Sequence, residues 1–245
     1  MKIVSLVPSI TELLYTLGLE QEVTGITKFC IHPQTWFRTK TRVGGTKTLD
    51  IEKIMVLQPD LIIANKEENI KEQVETLAGR FPVLLTDVND YAGALEMIRE
   101  VGARTNRKEE AHILITAIDA AFARLDTGPP GTAVYFIWRD PWMTAGGDTF
   151  IHDMMRRAGF VNLYAPYNRY PVIDPVELPA LQPDYILLSS EPYPFKERHK
   201  AALQQLLPDA TILLVDGELF SWYGSRMLNA PAYFKQLRAN HSFRP

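Results

Sequence analysis

The chain has 245 residues, of which 46% are hydrophobic and 22% charged, the profile of a folded globular protein of one large domain or two lobes. A net charge of −3, from 26 basic and 29 acidic residues, removes the electrostatic case for nucleic-acid binding. The one cysteine, Cys30, excludes an internal disulfide framework and a Cys-rich zinc module, and no apolar run reaches the roughly 20 residues of a membrane helix.

Met1-Lys2-Ile3-Val4 opens directly as a strand, without a charged-then-apolar leader, so the sequence itself points to no export signal. Lys2 to Val7 predicts a β-branched strand ended by Pro8. Ser9-Ile10-Thr11-Glu12 matches a capping box; Leu13, Leu14 and Leu17 give the helix a buried stripe, and Gly18 ends it. Val23 to Ile26 predicts a second short strand. Val43-Gly44-Gly45-Thr46-Lys47 lacks the second half of a phosphate loop and reads as a turn. The runs Leu61–Ala64 and Val83–Leu85 show no polar alternation, which suits strands covered on both faces in a parallel sheet. Between them, Asn69 to Arg80 is helical in pattern, with Val74, Leu77 and Ala78 inward.

From Asn106 to Asp126 there is no Pro or Gly, and Ala111, Leu114, Ile115, Ile118, Phe122 and Leu125 fall at 3,4 spacing, which predicts one helix. At ~1.5 Å per residue it spans roughly 30 Å, with Asn106 and Glu109 able to cap its start and Gly128-Pro129-Pro130-Gly131 stopping it. Ala133 to Trp138 and Ile212 to Val215 then predict further buried strands.

An internal echo decides between one domain and two lobes. Asp50 to Ile62, containing Leu57-Gln58-Pro59-Asp60, reappears as Asp174 to Ile186, containing Leu181-Gln182-Pro183-Asp184, so that each residue lies 124 positions after its counterpart (Asp50 to Asp174). In both copies an Asp can cap a short helix, Pro-Asp breaks it and a buried strand follows. The expected fold class is α/β: two Rossmann-like α/β lobes joined by a single long rigid backbone helix, with lobes at 1–104 and 129–245 and the helix at 105–128.

Enzyme motifs are missing. There is no Gly-x-Ser-x-Gly elbow, phosphate loop, dinucleotide Gly-x-Gly-x-x-Gly or His-x-x-x-His pair. The histidines His32, His112, His152, His199 and His241 are scattered. Cys30 and His32 could ligate a soft metal or form a nucleophilic pair; the alternative is a buried cysteine beside a turn histidine. The aromatic residues are more informative. Trp138, Trp142, Phe150, Tyr164, Tyr167 and Tyr170 cluster after the strand ending at Trp138, and Phe220, Trp222 and Tyr223 follow the strand ending at Val215. Phe29 and Trp36 follow the second strand. Aromatics at strand carboxyl ends suit a wide, flat-walled pocket for a large, partly apolar ligand, although some such residues serve only as lids over the core.

The opening from Ser5 to Glu12, the Leu57-Gln-Pro-Asp60-Leu-Ile-Ile element, the long helix and the Thr144-Ala-Gly-Gly147 turn resemble the class III substrate-binding proteins of ABC importers. That family carries vitamin B12, haem and iron–siderophores, and its cobalamin-binding branch is the most similar, from Met1 to about Leu237. The resemblance implies a non-enzymatic, monomeric binding protein with no intrinsic cofactor. It would hold cobalamin or another metal chelate between two lobes and deliver it to an inner-membrane ABC permease, without inserting in the membrane or binding nucleic acid. It also implies a periplasmic or extracytoplasmic location. With the leaderless start, a cytoplasmic location is the alternative, as for a metal-handling protein or enzyme that kept the fold. Residues carried over to the ligand are Pro8, Ser9, Phe29, His32, Trp138, Trp142, Glu218, Trp222 and Arg226. Of these, His32 stands at a position aromatic in the family, and Trp222 stands where the family has an arginine, suiting a macrocycle-stacking role. Glu72 and Glu197 lie near the family's permease-docking glutamates; solvated helix-face glutamates are the alternative. Cys30 with His32 would suit a metal-centred ligand.

Overall fold

The parallel sheet expected from the uninterrupted apolar runs forms twice. The computed structural model describes residues 1–240; the last five positions of the span 129–245, His241 among them, lie outside the described residues. The chain divides into two compact units, one comprising Met1–Val88, Ala92–Ala117 and Tyr223–Arg226, the other Asn89–Tyr91, Ile118–Trp222 and the chain from Met227 onward.

Up to residue 123 the chain forms β1 (Ile3–Ser5), α1 (Pro8–Thr16), β2 (Val23–Ile26), α2 (Gln34–Thr39), β3 (Thr41–Arg42), α3 (Ile51–Leu57), β4 (Leu61–Asn65), α4 (Lys71–Ala78), β5 (Val83–Thr86), α5 (Tyr91–Arg104) and α6 (Lys108–Ala123). The strands are all parallel, in the order β3-β2-β1-β4-β5. The central strands β1 and β4 are buried along their whole length, the burial that a two-faced apolar strand requires.

Two local expectations need correction. The helix α1 starts at Pro8 with Val7 as its N-cap, so Ser9 is not a capping residue. Proline at the first helical position brings a preset φ and has no N–H to satisfy; the Thr11 hydroxyl donates to the Val7 carbonyl at 2.9 Å. The helix expected over 106–126 is α6, whose 16 residues span about 24 Å. Asn106 has φ 56°, a left-handed conformation that an α-helix cannot contain. Residues 105–107 therefore separate α6 from α5, a helix in a stretch where none was expected. The boundary between the units falls inside α6, after Ala117.

After α6 the chain forms β6 (Gly131–Trp138), β7 (Met143–Thr144), α7 (Phe150–Arg157), β8 (Phe160–Asn162), a 3-10 turn at Pro175–Glu177, α8 (Leu178–Leu181), β9 (Tyr185–Ser189), α9 (Glu197–Leu206), β10 (Thr211–Val215), α10 (Glu218–Ser221), a 3-10 turn at Ser225–Leu228 and α11 (Ala230–Asn240). The second sheet runs β10-β9-β6-β7, with β8 also on β6; β7 alone is antiparallel to its neighbour. Its core includes Phe136, Leu188, Phe195, Leu203 and Ile212.

The echoed segments have matching structures. The Asp50 side chain accepts from the Lys53 N–H and that of Asp174 from the Val176 N–H. Gln58 and Gln182 then reverse the chain with φ 47° and 46°. The Asp60 carboxylate accepts from the Lys2 N–H at 2.7 Å and the Asp184 carboxylate from the Thr132 N–H at 2.7 Å. Each copy thus caps a short helix, turns in the left-handed region and pins the strand that follows to the start of its neighbour, β4 to β1 and β9 to β6.

Candidate functional site

Open parallel sheets bind ligands at the carboxyl ends of strands whose connections leave in opposite directions. In the first unit those strands are β1 and β4, and in the second β6 and β9.

In the first unit, Asn65 and Asn69 organise the strand ends. The Asn69 Nδ2 donates to the Leu6 carbonyl at 3.3 Å and the Thr46 carbonyl at 3.0 Å, and its Oδ1 accepts from the Asn65 N–H at 2.9 Å. The Asn65 Oδ1 accepts from the Glu67 and Glu68 N–H groups, and its Nδ2 donates to Thr86. Neither asparagine figured among the expected residues. The available signal was the position of Asn65 at the end of a buried apolar run, where a buried polar side chain must be hydrogen-bonded. Burial pushes the nearby Glu68 carboxyl up, Glu67 adds to the shift and Lys47 opposes it.

Among the residues expected to face a ligand, Pro8 opens α1 and Ser9 is buried. Burial pushes the phenol of nearby Tyr223 well up. Phe29 is 51% exposed, with Lys28 Nζ 5.1 Å from its ring; it offers an open aromatic face beyond β2. His32 is half-buried. Arg226 departs from the ligand-facing expectation: its Nε and Nη2 donate to the two Glu12 carboxylate oxygens at 2.9 and 2.7 Å. This bidentate pair fastens Tyr223–Arg226 to α1.

Cys30 is fully buried and shares hydrogen bonds of 3.1 Å with Thr11 and Thr27. Burial pushes its thiol up, against the lowering effect of those bonds, so it stays protonated at neutral pH. Among the described residues there is no group of three or more His, Cys, Asp or Glu that could hold a metal ion. The buried-thiol reading of Cys30 fits these contacts, and the ligand reading of Cys30 with His32 finds no further ligand to join it.

In the second unit, the loops after β6 and β9 bring aromatic side chains together. Trp138 is 40% exposed and meets Tyr193 edge-to-face at 5.8 Å. Trp142 stacks on Phe195 at 5.7 Å and meets Phe136 at 4.9 Å. Trp142 therefore rests on the core while Trp138 presents a face to solvent. Tyr193 and Phe195 were missed, because the segment between Ser189 and Glu197 carries no periodic pattern. The other expected aromatics divide. Phe150, Tyr164, Phe220 and Tyr223 are buried, as lids and core. Trp222 departs from the stacking expectation: it is 8% exposed and its indole N–H donates to Glu191 Oε1 at 2.7 Å, beside the Ser221 hydroxyl at 2.7 Å. Glu218 is half-buried at the start of α10, where its N–H donates to Asp216.

Glu72 and Glu197 are exposed, each in the first turn of the helix that follows an echoed strand, α4 after β4 and α9 after β9.

Residues 3–212 match the family described as periplasmic binding protein. The ABC transporter substrate-binding lipoprotein YvrC of Bacillus subtilis, itself uncharacterized, is 25% identical over 199 residues, which cover 76% of this chain and 62% of that lipoprotein's length. The vitamin B12-binding protein of Pectobacterium carotovorum is 23% identical over 237 residues, covering 94% of this chain and 85% of the relative. Among solved structures, the periplasmic vitamin B12 binding protein BtuF of Vibrio cholerae superposes with a TM-score of 0.83 at 20% identity, covering 99% of this chain and 98% of that one. At that identity the likeness establishes the fold.

Proposed function

The chain belongs to the periplasmic binding protein family, and from that membership we propose that it captures a metal chelate, cobalamin first among the candidates, and delivers it to an ABC permease. The observation that carries the choice of ligand class is the aromatic wall at the ends of β6 and β9, where exposed Trp138 meets Tyr193 and Trp142 stacks on Phe195. Rigid aromatic faces suit a large, flat, partly apolar ligand, since they offer contact area with little side-chain entropy to lose. In the first unit, Phe29 offers a similar exposed face. The paired strand-end sites, one per unit, agree with a binding role, and the chain works as a monomer outside the cytoplasm. Glu72 and Glu197 are the docking residues for the permease. Each lies in the first turn of a helix on the echoed elements, so the two would present one carboxylate per unit to basic partners.

Titration with cobalamin, haem and a ferric siderophore in turn, followed by tryptophan emission, is expected to show saturable quenching with at least one of them. Trp138 and Trp142 report directly on the proposed surface. Unchanged emission with all three would remove the chelate reading.

A further inference from the structure

We propose that Arg139 selects chelates that carry an oxyanion, a carboxylate or a phosphate, and thereby sets which ligand the aromatic wall of the second unit accepts. The inference rests on the chelate-capture reading and names a chemical feature of its ligand. Arg139 stands between Trp138 and the turn to Trp142, at the carboxyl end of β6. Its guanidinium carbon lies 5.6 Å from the centre of the Trp142 ring, a cation–π contact that orients the planar group. The Nε is buried and has no hydrogen-bond partner, while the side chain as a whole is 38% exposed. A buried donor without an acceptor is uncommon in a folded protein and calls for an explanation.

The surroundings do not neutralise this cation. The acid paired with it is Asp140, 3.9 Å from Nη1 with its own side chain 77% exposed, and an ion pair so long and so wet is weak. Asp140 has φ 64°, a conformation that few non-glycine residues adopt and that recurs at ligand-binding turns. Glu191, in the facing loop, accepts from Ser221 and Trp222 through the same oxygen. The charges acting on the neighbouring His199 are mostly positive. Buried His199 is held toward its neutral form first by burial and then by Arg198, Arg139 and Lys196, with Asp140 opposing. An arginine fork beside an aromatic wall, held only by a long and exposed ion pair, matches a flat ligand with an anionic edge.

The test uses two probe pairs that differ in an oxyanion: haem against haem dimethyl ester for carboxylate, and cobalamin against cobinamide, which lacks the phosphodiester-linked nucleotide. The wild-type protein is expected to bind the oxyanion-bearing member of one pair about tenfold more tightly than its counterpart; the pair that responds identifies carboxylate or phosphate. Arg139→Gln is expected to erase this preference and Arg139→Lys to retain part of it, with the affinity for the neutral counterpart unchanged in both. A preference that survives in Arg139→Gln, an equal loss for both members of the pair, or equal wild-type affinity within both pairs overturns the assignment. Failure of all four probes to bind the wild-type protein overturns the capture reading itself, a result distinct from these.

Discussion

Replacing Asn69 with alanine is expected to cost roughly 3 kcal/mol or more of folding stability, because it strands three buried backbone groups at once. The Leu6 and Thr46 carbonyls lose their donor and the Asn65 N–H loses its acceptor. These groups belong to the loops after β1, after β3 and at the end of β4, and water has little access, Asn69 itself being 5% exposed. Asn69→Asp should be no remedy: it keeps an acceptor for Asn65 but sets a carboxylate oxygen against two carbonyls. Urea denaturation of the wild type and both variants checks this. The midpoint should fall with little change in slope; a loss under about 1 kcal/mol would mean that the amide is not what holds these strand ends together.

A comparably large effect is expected of Gly147→Ala. A β-carbon at Gly147 would lie 2.1 Å from the Ala165 carbonyl oxygen, and one at Gly146 would lie 2.3 Å from that of Tyr167. Both obstacles are backbone, so no rotamer change relieves them. The approach is close because the Gly146 and Gly147 N–H groups donate to Arg169 and Tyr167 at 2.7 Å. We expect a cost of about 3 kcal/mol for Gly147→Ala, read as a fall of roughly 6–12 °C in Tm for a protein of this size. Gly79→Ala is the internal control. Gly79 is right-handed at φ −65°, and the atom nearest to a new β-carbon is 3.6 Å away, so that change should be neutral or slightly stabilising. A small loss at Gly147 would mean that the Thr144–Gly147 turn yields readily.

The sequence revealed the scaffold more readily than the site, for physical reasons. Buried parallel strands need apolar residues on both faces, so β1, β4 and β6 stand out as uninterrupted runs; β5 and β10 carry the same pattern, but at the sheet edges they leave Leu85 46% and Leu214 36% exposed. The Leu-Gln-Pro-Asp echo shows its helix caps and strand starts because each is made by one side chain acting locally. Three-dimensional partners are not local. Arg226 stands among the ligand residues by resemblance, and only the structure shows that Glu12, 214 positions away, takes two of its donors. Trp222 likewise has the composition of a stacking residue until Glu191 holds its indole. Asn69 and Tyr193 left no pattern because their importance lies in which loops they join. Asn106 shows a similar limit: its left-handed φ keeps it outside the helix whose start the sequence pattern places there.

The central claim is capture of a chelate on the aromatic face at the ends of β6 and β9, and equilibrium dialysis of cobalamin against the wild type and Trp138→Ala tests it most directly. The account predicts about one cobalamin retained per wild-type chain and at least tenfold weaker retention by Trp138→Ala, since an exposed aromatic anchor is the kind of residue that dominates binding energy. Retention by Trp138→Ala equal to that of the wild type would contradict it.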